Sequence, residues 1–492
     1  MPNPQLQPRR GFPANSSVGQ LAAVLCLLPA VLFAQTNYIP FKSLAGPPQE
    51  CTLPEGQLAE GDDNYLYGTT VGEGGSGAIY KTSIDGRTFT VLKRLGDQDG
   101  HGPSSGLLLA TDHRLYGATE RAGTNAGTVG GTLFSLRQDG SDFRVLHHFP
   151  ASTNDGAQPM ACPLEATDGA LYGTTGYGGK TNQANPYGMG VVFTINKDGT
   201  GYNILHSFAG APSGDGRNPY ASLAEASNGV LHGVTLWGGS NDCGTIFAIK
   251  KDGSDYTVLH SFRGCITTAD GREPHAEPVE GPDGFLYGTT EFGGVADAGT
   301  IYKIDKGGSN YITLRNFLGP TAADGADPWW RLLKATNGVL YGSTTHGGIE
   351  DLGTVFSIAQ DGTYTVLRQL QGASLPDGRY PYSPICQAHD GTLYGATLQG
   401  GTYGVGTVFL LITLPKSWFT GGQASEGHVT LLARAAAGAS FQLQSSDEIS
   451  PPNWSPAETN SSDTIGFLAF TNLPTSSPCR FFRLTAPAPS SP

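Results

Sequence analysis

Apolar positions in this chain fall into short runs cut by glycine-rich turns, and no long stretch keeps helical periodicity. The stretch Ser222–Phe262, SLAEASNGVLHGVTLWGGSNDCGTIFAIKKDGSDYTVLHSF, shows the unit: four apolar runs separated by turns. The same order recurs along most of the chain. A Leu-Tyr-Gly signature carries its glycine at Gly68, Gly117, Gly173, Gly233, Gly288, Gly342 and Gly395, with only Leu231-His232-Gly233 departing from it. Successive spacings are 49, 56, 60, 55, 54 and 53 residues. A period near fifty marks a repeat architecture.

Each unit predicts four strands. Strand A is a run such as Cys162–Ala166 or Leu332–Ala335. Asp-Gly or Asn-Gly follows, as in Asp168-Gly169, Asn228-Gly229 and Asp390-Gly391, and predicts a two-residue hairpin with positive φ at both positions. Strand B is Leu-Tyr-Gly-x-Thr. A longer glycine-rich loop leads to strand C, seen at Gly244–Phe247 and Gly353–Phe356. A second Asp-Gly turn leads to strand D, seen at Tyr202–Phe208 and Tyr256–Phe262.

Strands B and C occur seven times, but strand D follows strand C in only six units. After Phe409 the chain runs Leu-Leu-Ile-Thr-Leu-Pro instead. The missing copy is at the front, where Tyr38–Gly46 (YIPFKSLAG) matches Tyr202–Gly210 (YNILHSFAG) in type. The expected fold is therefore all-β: a seven-bladed β-propeller over residues 36–412, its last sheet completed by the N-terminal strand. Closure joins the ends and leaves only short outer edges.

These units, with LYGTT, the Gly-Gly loop and GTVF as in Leu171–Gly179 with Gly190–Phe193, resemble the Gloeo/Verruco ("GloVer") tandem repeat of secreted bacterial proteins. The resemblance implies a propeller in a surface or extracellular setting. It carries over no catalytic residue.

After Ile412 the repeat stops. Residues 415–484 hold the alternating runs His428–Leu432, Ser440–Gln444, Ile465–Thr471 and Arg480–Leu484, expected to form a small β-sandwich-like module. Residues 485–492 read as a disordered tail.

Composition adds location. The chain has 492 residues, 71 of them glycine, and only 14% are charged. Arg9 and Arg10 precede the apolar run Leu21–Ala34, too short to span a bilayer, so residues 1–34 read as a signal peptide. No other run is long enough to be a membrane helix. The expected location is secreted or at the cell surface, and a monomer is expected. Removing residues 1–34 moves the net charge from −13 to −15. So acidic a chain repels phosphate backbones, which argues against a nucleic-acid partner. Six cysteines remain after Cys26 is lost, and export permits disulfides. Cys243 just before strand C and Cys265 just after strand D of the same unit are the best-placed pair. The connectivity of Cys51, Cys162, Cys386 and Cys479 stays open.

Five of the six D–A connections from the second unit on share Asp-Gly-x-x-Pro cleanly, and Asp99-Gly100-His101-Gly102-Pro103 fits it too. The plain reading is a capped turn; the sharper one, calcium at these aspartates, lacks the clustered oxygens calcium needs. No metal or cofactor is expected. The residue after the proline, where strand A begins near the channel mouth, is Ser104, Met160, Tyr220, His275, Trp329 and Tyr382 in turn. The residue after Asp-Gly is His101, Ala157, Arg217, Arg272, Ala326 and Arg379. Arg217, Tyr220, Arg272, His275, Trp329, Arg379 and Tyr382 thus form a candidate mouth, with aromatic faces and cationic donors for a carbohydrate or an anionic small molecule. The same aromatics would also serve as wedges between blades. His147, His206 and His260 recur on outer strands and read as structural.

No catalytic residues are assigned. Gly102-Pro103-Ser104-Ser105-Gly106 spells Gly-x-Ser-x-Gly outside a strand–turn–helix context. Three function classes stay open: a binding or interaction module for glycans or another extracellular polymer, an extracellular polysaccharide lyase or hydrolase at the mouth, and a structural surface protein.

Overall fold

The computed structural model describes residues 37–44, 53–71, 77–83, 88–121, 129–150, 154–181, 186–265, 270–372, 377–389 and 393–412, and strands within 418–485. Residues 1–34, the Asp390-Gly391 turn, Cys51, Cys479 and the tail 486–492 lie outside the described residues.

Seven antiparallel sheets form a β-propeller. Blade 1 is Pro54–Glu60, Tyr65–Thr70, Ala78–Ser83 and Phe89–Arg94. Blade 2 is Leu108–Leu109, Arg114–Arg121, Val129–Arg137 and Arg144–His148. Blades 3 to 6 repeat the order with strands B at Leu171–Thr175, Leu231–Thr235, Leu286–Thr290 and Leu340–Thr344. Blade 7 has Cys386–Gln387, Leu393–Gly400 and Thr407–Ile412, and its outer strand is Asn37–Ser43. That strand pairs antiparallel with Thr407–Ile412, from Asn37 opposite Ile412 to Ser43 opposite Thr407. The expected closure by the N-terminal strand is what the chain does. The propeller unit spans Gln35–Thr413.

The repeated residues explain the repeated shape. The strand-B tyrosine is buried and its hydroxyl donates to the turn aspartate, as in Tyr172 to Asp168 at 2.8 Å and Tyr287 to Asp283 at 2.7 Å. The following glycine lies against the strand-C aromatic: a Cβ on Gly233 would sit 2.5 Å from Phe247 Cζ. Only hydrogen fits there. Between blades, Tyr172 of blade 3 packs with Leu231, Phe247 and Ile249 of blade 4, and Tyr394 of blade 7 packs with Leu66 and Tyr80 of blade 1. A second contact repeats at each junction. The proline ahead of strand A seats on the glycine ahead of the previous blade's strand C, with a Cβ on Gly244 only 2.5 Å from Pro274 Cδ. Pro54 on Gly406 closes the ring the same way, at 2.7 Å.

Two expectations need correction. The A–B turn is not a two-residue loop with both φ positive. Gly169 has φ +81° while Asp168 does not enter the left-handed region. Gly169 N–H donates to Ala166 and Ala166 N–H to Ala170, so the loop holds three residues and one glycine suffices. Strand A is also shorter than its apolar run: only Leu164–Glu165 and Leu333–Lys334 pair with strand B. The chain ahead of it pairs elsewhere, Gly216-Arg217 running against Trp237-Gly238 in a separate two-residue ladder. The first blade, whose entry lacks Asp-Gly-x-x-Pro, places Pro54 where the other blades have the motif's proline.

Past the propeller, Trp418–Ser425, His428–Arg434 and Phe467–Pro474 form one three-stranded antiparallel sheet. Ser455–Ser461, Ser440–Ser446 and Phe481–Thr485 form another. No helix among the described residues is long and apolar enough to cross a membrane.

Candidate functional site

The blades differ most where they meet the axis. The thirteenth residue ahead of each strand-B glycine forms a ring of Glu55, Ser104, Met160, Tyr220, His275, Trp329 and Tyr382. The structure brings together the aromatic members of blades 5 to 7. His275 and Trp329 stack with centroids 3.7 Å apart, and Trp329 lies 5.7 Å from Tyr382. Trp330 meets Tyr382 edge-on at 5.6 Å. Tyr220 stands apart on blade 4, against Gly176 and 6.3 Å from Tyr177.

Carboxylates interleave with this shelf. His275 Nε2 lies 2.7 Å from Glu291 Oε2. Ser104 Oγ donates to Glu120 Oε1 at 2.7 Å. Glu55 was not among the residues expected at the mouth, because its unit lacks Asp-Gly-x-x-Pro. Counting back from Gly68 would have found it. Burial, and then the charge of Glu120, push its carboxyl up to about 7. A carboxyl with that pKa can give or take a proton near neutrality. Burial also raises the Tyr382 phenol, and Glu55, Glu291 and Glu120 add to the effect.

Two of the three arginines do something else. Arg217 donates through Nε and Nη2 to Asp242 at 2.9 Å each and lies over the Trp237 ring at 4.8 Å. Arg272 holds Asp297 in the same fork at 3.1 and 3.0 Å and lies over Phe292 at 4.6 Å. Arg379 lies over Tyr380 at 5.8 Å. Arg217 and Arg272 thus anchor the glycine-rich B–C loops beside the mouth instead of presenting free charge to it. Their positive charge is neutralised within the blade.

The motif aspartates are equally occupied. Asp215 accepts from His206 Nε2 at 3.0 Å and from Ala209 and Gly216 N–H, and it also bonds the Tyr256 hydroxyl. His206 stacks on Tyr256 of the next blade at 3.6 Å. The same set recurs as His260, Asp270 and Tyr311, and with arginine as Arg315, Asp324 and Tyr364. These are clamps between blades. No group of three or more His, Cys, Asp or Glu able to hold a metal occurs among the described residues.

Below the mouth, the eleventh residues ahead of the glycines narrow the channel. Arg331 of blade 6 reaches Glu277 of blade 5 at 3.2 Å and Gln57 of blade 1 at 3.1 Å. Cys162 and Ser222 complete this waist. On the mouth side it leaves a cavity of about 40 Å³, bordered by Tyr220, His275 and Trp330. That is space for about one water molecule. On the hairpin side it opens into a chamber of about 350 Å³. A polymer held at the mouth would therefore lie across the shelf and not thread the channel.

Cys243 and Cys265, away from the axis, are joined by a disulfide; Cys162 at the waist and Cys386 are free thiols.

No curated protein matches this sequence. Solved structures of similar shape include a putative 6-phosphogluconolactonase from Bacteroides uniformis, 15% identical, covering 89% of this chain and 100% of that one, TM-score 0.43. A fungal alcohol oxidase of the AA5 family is 10% identical over 90% of this chain and 93% of its own, TM-score 0.49. A GH74 xyloglucanase from Xanthomonas campestris is 11% identical over 81% of this chain and 59% of its own, TM-score 0.48. The family model for the Gloeobacter/Verrucomicrobia repeat matches residues 35–228, 128–326 and 218–421 in overlapping succession. Those matches run the length of the propeller, and the chain belongs to the Gloeobacter/Verrucomicrobia repeat family.

Proposed function

We propose that this propeller is an exported binding module that holds a neutral glycan, or a glycan segment of an extracellular polymer, across its channel mouth. The observation that carries this reading is the continuous shelf of His275, Trp329 and Tyr382 bordered by Glu55, Glu120 and Glu291. Aromatic faces match the apolar faces of sugar rings, and carboxylates accept from sugar hydroxyls. An anionic ligand fits this end poorly, since Arg217 and Arg272 are spent on Asp242 and Asp297 and the carboxylates would repel it. The N-terminal apolar run and the Cys243–Cys265 disulfide support action outside the cell.

A glycan-array screen of the wild-type protein, with and without calcium, identifies the ligand. Trp329→Ala combined with Tyr382→Ala should then weaken binding at least about tenfold by calorimetry, as expected for two lost ring contacts. A folded double variant with unchanged affinity overturns the reading. Glu55 beside Glu120 favours a second reading, hydrolysis or elimination on the bound polymer. New chain ends released from the polymer that the array identifies would establish it.

A further inference from the structure

The chamber on the hairpin side of the waist is a cavity separate from the mouth. Its floor is the contact of Arg331 with Glu277 and Gln57. Its walls are apolar, from Leu108, Leu164 and Val279 on strand A of blades 2, 3 and 5 and from Leu223 just ahead of strand A of blade 4. About 350 Å³ of half-open space with apolar walls and a few polar groups is within the range of small-molecule pockets.

Charge selects the ligand. Glu225 at the rim is bound by Lys251 and accepts from Thr167 N–H and Oγ1 at 2.7 Å each. Glu280 is bound by Lys306 and accepts from Ser227 N–H at 2.6 Å and Oγ at 2.8 Å. Glu277 is matched by Arg331. Each lining carboxylate thus has a cation, and Lys334 is left over, exposed and without an ion-pair partner among the described residues. Burial pushes the Glu277 carboxyl up against the pull of Arg331, and its neutralisation would only deepen the positive bias. We infer that the chamber binds a small monoanion with an apolar body, its carboxylate or sulfonate at Lys334 and its body against the leucines. This is opposite in charge preference to the mouth, on the same chain.

Anilinonaphthalene sulfonate has the required body and charge, and its fluorescence reports burial. The whole protein should bind one dye saturably, and the uncharged phenylnaphthylamine should bind it at least about tenfold more weakly. Lys334→Glu should weaken dye binding at least about tenfold, because reversal turns an attraction into a repulsion. Ala224→Trp, which fills the chamber, should abolish it, and Trp329→Ala at the mouth should leave it unchanged. Equal affinity for the neutral analogue, or undiminished dye binding in Lys334→Glu or in a cooperatively folding Ala224→Trp, overturns the inference. Should Ala224→Trp fail to fold, Lys334→Glu alone decides, since that side chain is exposed.

Discussion

His232 stands where six other blades place tyrosine, and it is fully buried. Its Nδ1 bonds the Val230 carbonyl at 3.1 Å, and burial holds its pKa below the ordinary histidine value. The unfolded chain therefore binds a proton more readily than the folded one as pH falls below about 6.5. The contribution to stability is intact above that pH and declines as pH drops toward the depressed folded value. His232→Tyr should flatten the acid side of the stability curve, read as the melting temperature between pH 7 and pH 5. An unaltered pH dependence in a folded variant would show that other groups govern it. At this scale the chemistry of the repeat was readable in the sequence wherever partners are close, as in Tyr172 and Asp168 four residues apart. It was not readable for the arginines. Asp242 is 25 residues beyond Arg217, in a loop whose path no spacing rule supplies, so Arg217 passed for a ligand-facing donor.

At the scale of the strand and its connections, blade 4 is tied by Cys243 and Cys265, which join the entry of strand C to the exit of strand D with a sequence separation of 22. That pairing follows from antiparallel neighbours and was visible in the spacing. Replacing both cysteines by serine should cost about 3 kcal/mol of unfolding free energy in urea, from the added freedom of the unfolded chain. Two titratable thiols from this pair in the untreated native protein would contradict the bond. Strand A was the element least well drawn from sequence. Its apolar run is longer than its ladder because the leading residues line the channel, where burial needs no strand partner. Glu55 was hidden for a related reason: Pro54 does the work of the motif without the Asp-Gly that flags it elsewhere.

At the scale of the whole molecule, the count of strands decided the fold, since six outer strands for seven blades leave one to be supplied from the other end. Asn37–Ser43 supplies it. Deleting residues 36–46 should abolish the single cooperative unfolding transition, because blade 7 loses its outer strand and the two chain ends lose their tie. A normal transition in that deletion would contradict the closure. The ligand side is harder to read from sequence because the axis is lined by one residue per blade, each about fifty positions from the next. Only the ring, once assembled, shows that Glu55 and Glu120 share a mouth with Trp329.

The seating of each proline on the glycine of the blade before it has one more consequence. The contact is directional and identical in kind at every junction, including Pro54 on Gly406. A unit whose exit fits its own entrance can be gained or lost by duplication without inventing a new interface. Ring size is then set by geometry at the junctions, while the residues facing the axis are free to diverge. In this chain the residues facing the axis differ from blade to blade, while the proline–glycine seat beside them is the same at every junction.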